Sequence, residues 1–238
     1  GPQAMGVDAG STSVQYSLPQ RTTLKSGSES RSMTIASIEL HGAYIHTTAI
    51  RDDAQAVVLL QARNPSEYTL LPGSVTSIVD GDLSGSTQMS LTAPQEEMEV
   101  AVGVDDAVRV KIVSAPKVDA KQGQKSWNPW SDHGDRRRQS ITHIFEIKNT
   151  KDVPVKIRVH DVLPTVDSEE VKVELKSATR ECGLPDCKVD FSHEVFSGKL
   201  KWDVVLPASG TQQLKVGFDV EWPKERQLYG IESLHGAA

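Results

Sequence analysis

The chain has 238 residues, of which 37% are hydrophobic and 24% are charged, so it is long enough and apolar enough to bury a core. It contains no run of about eighteen apolar residues, so the sequence predicts no transmembrane helix. The formal net charge is −6, with Lys and Arg interspersed among Asp and Glu, and this pattern excludes a general nucleic-acid surface and predicts no membrane adhesion.

The opening residues, GPQAMG, are typical of a cleaved expression tag, and we expect residues 1–12 to be a tag remnant and a flexible start. They lack the charged-then-apolar pattern of a secretion signal, although removal of a native N terminus would also have removed such a signal. No asparagine begins a glycosylation sequence, so nothing marks the chain as secreted. The sequence therefore leaves the compartment open and favours the cytoplasm.

Alternation of apolar and polar residues with a period of two is the dominant pattern along the chain. It predicts strands with one buried and one solvated face. The segments, in chain order, are MEVAV (98–102), VRVKI (108–112), VPVKIRV (153–159), VKVEL (171–175), LKWDVVL (200–206) and LKVGFDV (214–220). Turn signals such as NPSE, VDGD, NTKD and PASG separate the strands at a spacing typical of sandwiches.

The fold class that these patterns predict is all-β, with two consecutive antiparallel β-sandwich-like subdomains. We place the first at residues 13–115 and the second at 140–224, with a connecting loop at 116–139 and a C-terminal tail at 225–238. The second subdomain is expected to be immunoglobulin-like or fibronectin-like, because ITHIFEIKNTKDVPVKIRVHDVLP has the form of two antiparallel strands joined by a short polar turn.

Two of the strands allow a prediction of which side chains are buried, because a slip of one residue would bury four charges. The residues predicted to be buried are Val153, Val155, Ile157, Val159, Leu214, Val216 and Phe218, and those predicted to be exposed are Lys156, Arg158, Lys215 and Asp219.

The two cysteines, Cys182 and Cys187 in CGLPDC, are too few for a disulfide-built scaffold. They could close a small loop in an oxidising setting or flank a turn as free thiols in a reducing one, and we favour free thiols. A zinc site would need two further ligands, and only His193 lies nearby, so no metal site is predicted.

Enzyme signatures are missing from the sequence, which contains no G-x-S-x-G, H-E-x-x-H, phosphate-cradling or dinucleotide-binding motif. His160 and Asp161 are adjacent on a predicted strand and therefore point to opposite faces, so they cannot form a catalytic pair. His143 is in phase with apolar residues and is expected to face the core. The acidic segments VDGD, GVDD and DSEE lack the ligand spacing of calcium loops. We therefore predict no catalytic residue and no cofactor.

One polar stretch, KSWNPWSDHGDRRRQS (125–140), contains the candidate binding residues Trp127, Trp130, Arg136, Arg137 and Arg138. The interpretation that we favour places at least one tryptophan over the seam between the subdomains, where an indole buries on the order of 150–250 Å². The alternative is a recognition surface, in which the tryptophans stack on a sugar or anchor a protein and the arginines donate hydrogen bonds at the rim. The arginines are expected to be largely exposed in both cases.

Four segments carry a likeness to a known family, in the family's order: YTLLPG, GVDDAVRV, NTKDVPV and VLPTVDSEEVKVEL. From about Tyr16 to Pro223 the chain resembles the C-terminal domain of unknown function 4139 of mucoidy-inhibitor-A-like proteins. The resemblance implies that the chain is the C-terminal part of a longer protein, with a separate N-terminal β domain and an intervening coiled coil. It implies no enzymatic activity and no catalytic residue. The stretch with Trp127 and Trp130 departs from the family, which usually has a Phe-containing loop rich in Gly, Ser and Lys there.

Together these observations predict a non-catalytic β-sandwich interaction module that mediates protein–protein contact or self-association. The alternative is a carbohydrate-binding module that uses Trp127 and Trp130, and the third possibility is a hydrolase with no recognisable motif.

Overall fold

The computed structural model of the protein describes residues 6–9, 14–17, 26–27, 34–51, 53–113, 117–122, 136–166 and 168–226. Within these ranges the regular elements are all strands and no helix occurs, so the predicted all-β class is confirmed. The strands are β1 (Gly6–Ala9), β2 (Val14–Ser17), β3 (Gly42–Ala49), β4 (Asp53–Arg63), β5 (Gly73–Val79), β6 (Asp82–Met89), β7 (Glu97–Ile112), β8 (Lys117–Gln122), β9 (Arg136–Asn149), β10 (Val155–Val162), β11 (Lys172–Ala178), β12 (Lys188–Glu194), β13 (Lys199–Leu206) and β14 (Thr211–Pro223).

Ten strands form one hydrogen-bonded sheet, in the order β11-β14-β9-β7-β4-β3-β10-β13-β12, with β8 paired to β9 outside this path. β10 pairs in parallel with β3 and antiparallel with β13. Two antiparallel two-stranded sheets, β1–β2 and β5–β6, lie outside the large sheet. Residues 6–9, which the sequence assigned to a flexible start, are thus the strand β1.

The predicted connecting loop, 116–139, contains strand residues at both ends. Along one edge of β9, β7 pairs with residues 145–149 and β8 pairs with residues 137–142. The other edge of β9 pairs with β14 over 136–148, so that Arg138 faces Glu221. The arginine-rich start of β9 lacks apolar alternation, which is why the sequence predicts a loop there, and its strand conformation is supported by neighbours on both edges.

The chain separates into two compact units. Unit 1 contains residues 1–43 and 60–101, and unit 2 contains residues 44–59 and 102–238. This division differs from the predicted one, because residues 44–59 and 102–113 join the second predicted subdomain. The reason is long-range pairing that local patterns do not show, such as that of residues 46–49 with 157–160.

Unit 2 is organised around one buried core. β9 and β14 contribute Phe145 and Phe218 to it, and β10 and β13 contribute Ile157 and Trp202. The two strands at the ends of the sheet, β11 and β12, also pack against this core with partly buried apolar side chains. The Trp202 indole donates to the carbonyl of Thr179 at 3.0 Å, so its polar group is satisfied inside the core.

Most of the predicted register is confirmed. Six of the residues predicted to be buried are buried: Val155, Ile157, Val159, Leu214, Val216 and Phe218. Two of the residues predicted to be exposed are exposed, namely Lys156 and Lys215. The alternation of side chains along β10 and in the first half of β14 therefore follows the period-two pattern of the sequence, whereas residues 216–220 of β14 are all buried.

Three residues depart from the predicted register. Val153 is 52% exposed because it lies in the turn before β10 begins. Arg158 is half-buried beside Asp203, with Nε 2.9 Å from Oδ1. Asp219 was expected to be exposed and is 4% exposed, because Arg138 on β9 and neighbouring side chains cover it.

The preference for free thiols was wrong, because Cys182 and Cys187 form a disulfide. The loop between β11 and β12 turns back on itself, with the amide of Cys187 donating to the carbonyl of Leu184 at 3.4 Å and Asp186 in the left-handed region at φ 59°. The two Cα atoms are consequently 5.8 Å apart, within the range that a disulfide spans.

A buried asparagine closes the turn between β9 and β10 in unit 2. The Asn149 side chain accepts from the amide of Lys151 at 3.0 Å. Its Nδ2 donates to the carbonyls of Val153 at 2.8 Å and Pro207 at 3.0 Å. The side chain thereby satisfies three backbone groups at once.

The same arrangement follows β4 in unit 1. Asn64 accepts from the amide of Ser66 at 3.1 Å and donates to the carbonyl of Tyr68 at 2.9 Å, with the same offsets of two and four residues as Asn149. Its Nδ2 also lies 3.1 Å from the carbonyl of Ala93. Both asparagines are fully buried, so each unit contains the same turn-closing device.

Candidate functional site

The structure describes three of the five predicted binding residues. Trp127 and Trp130 lie outside the described residues, so both interpretations of the tryptophans stay predictions. Arg136, Arg137 and Arg138 are the first three residues of β9. Arg137 is exposed, as expected, whereas Arg136 and Arg138 are half-buried. The arginine run is therefore not a uniform solvated rim.

Arg136 joins the end of β14 to the segment before β11. Its Nη2 donates to the carbonyl of Glu170 at 2.5 Å and lies 3.4 Å from the carbonyl of Glu221. Both contacts are to backbone oxygens of the same unit, so they support the fold at this sheet end.

Arg138 belongs to a charged network on the adjacent part of β14. Its Nε donates to Asp219 Oδ2 at 2.8 Å, and Ser140 Oγ donates to Asp219 Oδ1 at 2.6 Å. Burial by itself raises the pKa of Asp219, but the hydrogen bonds from Ser140 and Arg138 outweigh it and hold that pKa below its usual range. The hydrogen bond to Asp219 raises the pKa of Arg138. Asp219 and Arg138 thus stabilise each other's charged forms, and both side chains are engaged by contacts within unit 2.

A second charged cluster in unit 2 joins His46 on β3 to Asp105 on β7 and to Lys151. His46 Nε2 is 2.7 Å from Asp105 Oδ2, its Nδ1 is 3.3 Å from the carbonyl of Lys156, and Lys151 forms an ion pair with Asp105. Burial raises the pKa of Asp105, but hydrogen bonds from Lys151, His46 and the amide of Ala107 together lower it. Both ring nitrogens of His46 face protein oxygens, so neither is placed to take a proton from a substrate.

The structure also describes the adjacent pair His160 and Asp161, and His143 on β9. His160 is exposed and Asp161 is buried, as their adjacency on a strand predicted. Arg51 forms an ion pair with Asp161, with Nε 2.6 Å from Oδ1 and Nη2 3.1 Å from Oδ2. His143 faces the core as expected and stacks on Phe218 with ring centroids 5.8 Å apart.

Two shallow depressions lie on the surface of the described residues. One in unit 1, of about 510 Å³, is lined mainly by polar side chains and includes Arg63 and Glu97, which pair at 3.1 Å. One in unit 2, of about 590 Å³, has a mixed lining of alanines and valines with polar residues such as Asp105, Arg109 and Lys111. The described residues contain no group of three His, Cys, Asp or Glu side chains that could hold a metal ion. In the same part of the chain, no helix has the length and hydropathy needed to cross a membrane.

The turn between β12 and β13 presents two apolar side chains to solvent. Val195 and Phe196 are exposed, Phe196 fully so. The turn is held in place by a hydrogen bond of 2.9 Å from the amide of Leu163 to the carbonyl of Gly198. Gly198 has φ +67°, and a Cβ there would lie 3.1 Å from the carbonyl oxygen of Leu163, so the turn favours glycine. Phe196 is therefore displayed by a well-anchored turn.

The β5–β6 hairpin in unit 1 displays a second apolar tip. Ile78 and Leu83 face each other across the hairpin and are 68% and 74% exposed. The turn between these strands uses Asp80 at φ 53° and Gly81 at φ 92°, both in the left-handed region that tight hairpin turns require. Val79, next to the turn, is also exposed.

Sequence reasoning missed both tips, although a signal for them exists. In each case large apolar residues directly adjoin a turn, as in SIVDGDL and EVFSGK. Such residues cannot reach a core from the end of a hairpin, so apolar residues beside a tight turn predict a displayed surface.

The fold and these surfaces define an all-β domain whose described buried charges are paired internally and whose hairpin turns carry exposed apolar side chains. A family model described as Domain of unknown function (DUF4139) matches residues 3–224, and the chain belongs to this family. No curated protein and no solved structure matches the chain.

Proposed function

We propose that the protein is a non-catalytic interaction module that binds another protein through the turn between β12 and β13. The observation that carries this proposal is the full exposure of Phe196 beside Val195 on an anchored turn. An aromatic side chain buried in a partner's pocket removes on the order of 150–250 Å² of surface from water. Anchors of this kind dominate the binding energy of protein interfaces.

The charged groups support a non-catalytic role. A general base needs a free acceptor within reach of a substrate, and the His46 ring nitrogens both face protein oxygens. Asp161 and Asp219 are gripped by arginines of the same unit. These ion pairs hold strands together and support the fold. The exposed apolar side chains are suited to binding.

We also propose that the chain is the C-terminal part of a longer mucoidy-inhibitor-A-like protein that contains a coiled coil. In such a protein the module would act at the end of a long helical segment, where a displayed Phe196 could dock on a partner. This part of the proposal rests on the family membership together with the resemblance of the four sequence segments.

We further propose an immunoglobulin-like sandwich for the strands of residues 140–224. Support comes from two antiparallel sets of three strands, β11-β14-β9 and β10-β13-β12. β9 and β10 are consecutive in the chain but belong to different sets, as at a crossing between two facing sheets. Both sets contribute to one core, which includes Phe145 from β9 and Trp202 from β13.

Photo-crosslinking tests the binding role. Phe196 is replaced by a photoreactive benzoylphenylalanine in the protein expressed in cells, and a matched control carries the same group at the exposed Lys215 on β14. We expect a discrete adduct with another protein from the Phe196 position and none from the Lys215 position. An absence of adducts from Phe196 in properly folded protein would contradict the proposal.

A further inference from the structure

A cationic surface covers part of the solvent-facing side of β7, β9 and β14 in unit 2. Residues that lie directly opposite each other in an antiparallel sheet point to the same face, so the register of these strands aligns their side chains in rows. The three rows, which we call the cationic face, are Arg109–Lys148–Thr211, Lys111–Glu146–Gln213 and Ile144–Lys215. Cations outnumber carboxylates in these rows, because Glu146 is their one acidic residue.

The first row places two positive charges opposite each other. Arg109 and Lys148 are Cα partners, and both side chains are exposed. Among the described residues neither side chain forms an ion pair with a carboxylate, and Arg109 Nε lies 3.4 Å from the backbone carbonyl of Asp106. Like charges directly opposite each other destabilise a sheet. The pair therefore weakens the fold and leaves both cations available to an anion from outside the chain.

The one carboxylate of the cationic face does not compensate this pair. Glu146 is engaged by Lys111, with Oε1 2.9 Å from Nζ. Elsewhere in unit 2 the register compensates a cross-strand charge directly: Arg158 lies opposite Asp203, with Nε 2.9 Å from Oδ1. The chain as a whole has a formal net charge of −6, so the cationic face is a local reversal of the overall sign.

The cationic face adjoins the depression of about 590 Å³ in unit 2, because Arg109 and Lys111 also line it. Asp105, in the wall of this depression, is already engaged by His46, with Nε2 2.7 Å from Oδ2, and by Lys151. A carboxylate supplied by a ligand therefore has a concave position beside two cations, one of which has no acidic partner.

We propose that the cationic face binds an acidic segment of a partner protein, whose carboxylates contact Arg109 and Lys148 at one end and Lys215 at the other. Lys148 and Ile144 are four residues apart on β9, so the first and third rows are separated by about 13 Å. An extended peptide covers that distance in four residues. Since this surface lies on other strands than the β12–β13 turn, the proposal goes beyond the binding role of Phe196.

The arrangement of charges favours a peptide over a nucleic acid as the acidic partner. Carboxylates on alternate residues of an extended segment are about 7 Å apart, so such a segment can place a neutral residue opposite Glu146. A nucleic acid carries a phosphate at every nucleotide, and its affinity depends on an extended positive surface that Glu146 interrupts. Half-buried Ile144 also offers an apolar contact between the cations.

Fluorescence anisotropy tests the surface. The probe is a short fluorescein-labelled peptide of alternating Glu and Ser, and its neutral counterpart alternates Gln and Ser. We expect the acidic peptide to bind the purified chain at low ionic strength and the neutral peptide not to bind. The dissociation constant should increase as the salt concentration rises, because the contacts are exposed and are screened over about 8 Å at physiological salt.

A double substitution with a matched control assigns the binding to the cationic face. Arg109→Gln combined with Lys148→Gln should raise the dissociation constant about tenfold, the effect of losing two exposed ion pairs. The control combines Lys156→Gln with Lys188→Gln, which removes the same charge from two exposed lysines on either side of Val205. It should change the dissociation constant less than about twofold, because it alters no contact with the peptide.

The stability of the free chain gives a second measurement. Lys148→Glu places opposite charges across β7 and β9 where wild type has like charges, so it should raise the urea midpoint of unfolding while abolishing binding of the acidic peptide. A lower midpoint would show that Lys148 supports the fold, and would overturn the inference that the opposed cations are retained for a ligand.

The remaining outcomes are also decisive. An absence of saturable binding at low ionic strength overturns the proposal, and so does an equal loss of affinity in the two double variants. Tighter binding of a single-stranded oligothymidylate than of the acidic peptide would show that the cationic face recognises phosphate, and would overturn the assignment of a protein partner. Each of these results leaves the role of Phe196 to be decided by its own crosslinking experiment.

Discussion

Asn149→Ala should destabilise unit 2 strongly, because it removes the side chain that closes the β9–β10 turn. The substitution leaves the amide of Lys151 and the carbonyl of Val153 without their partner, and these two groups must then find water or remain unsatisfied. The carbonyl of Pro207 loses one of its two donors and keeps the amide of Gly210 at 3.1 Å.

The magnitude follows from how well water can reach each group. Val153 is 52% exposed, so its carbonyl can turn to solvent at little cost. Lys151 is half-buried, and an unsatisfied backbone group costs about 1–3 kcal/mol, whereas the one hydrogen bond lost at Pro207 is worth about 0.5–1.5 kcal/mol. The expected loss in the free energy of unfolding is therefore about 1.5–4.5 kcal/mol, a large fraction of the 5–15 kcal/mol typical of a domain.

Urea unfolding followed by tryptophan fluorescence measures this loss, since Trp202 is buried in the same unit. Thr150→Ala is the matched control: it removes one exposed hydrogen bond, to the carbonyl of Ala107, and should cost less than about 1 kcal/mol. If Asn149→Ala costs as little as the control, the turn does not depend on the buried side chain and the argument is refuted.

Asn149→Asp gives an independent check through pH. The variant keeps the acceptor for Lys151 but turns a carboxylate towards the carbonyls of Val153 and Pro207, which disfavours the charged form and raises the folded-state pKa. An acid with a raised folded-state pKa loses stability as the pH rises above its unfolded-state value of about 4. Relative to wild type at the same pH, Asn149→Asp should thus be least stable at neutral pH and recover on acidification.

Three further outcomes are expected. Because the folded-state pKa of Asp219 is lowered, its pairing contributes stability above the unfolded-state pKa of about 4 and loses it as the pH falls through the lower folded-state value; the gap in unfolding midpoint between wild type and Asp219→Asn should therefore narrow in acid. Arg138→Ser should lower the melting temperature because it unpairs Asp219, whereas Arg137→Ser, at an exposed position, should not. Reduction of Cys182–Cys187 should cost about 2 kcal/mol in urea unfolding, the loop-closure value for so short a loop.

The strands of unit 2 were predictable from sequence because their side chains alternate between a core and solvent. Val155, Ile157 and Val159 are buried while Lys156 between them is exposed, and the departures on this strand are its start, at Val153, and the half-buried Arg158. A period-two pattern records which face is buried, but it does not record which strand lies alongside.

Features that depend on a distant partner were not predictable. The parallel pairing of β3 with β10 joins residues that are more than a hundred positions apart. Asp219 was expected to be exposed because it is charged, and its burial depends on Arg138 from another strand. The same pairing leaves Arg138, which the sequence predicts to be an exposed rim donor, half-buried. A charged residue at a position predicted to face outward is therefore known from the sequence to be polar. Whether its side chain is exposed to solvent depends on the residues of the neighbouring strand.

The apolar tips show the converse limit. Their position is determined by neighbouring residues in the chain, whereas their role is not. Ile78 and Leu83 beside Asp80 and Gly81 are fixed by a two-residue turn, so the sequence alone places them at the end of a hairpin. Phe196 is placed in the same way, by a turn whose positive φ at Gly198 favours glycine. A tight turn cannot return these side chains to the core, so they stay exposed at the end of the hairpin. The local sequence therefore predicts where these apolar side chains lie, whereas what contacts them depends on groups that the local sequence does not contain.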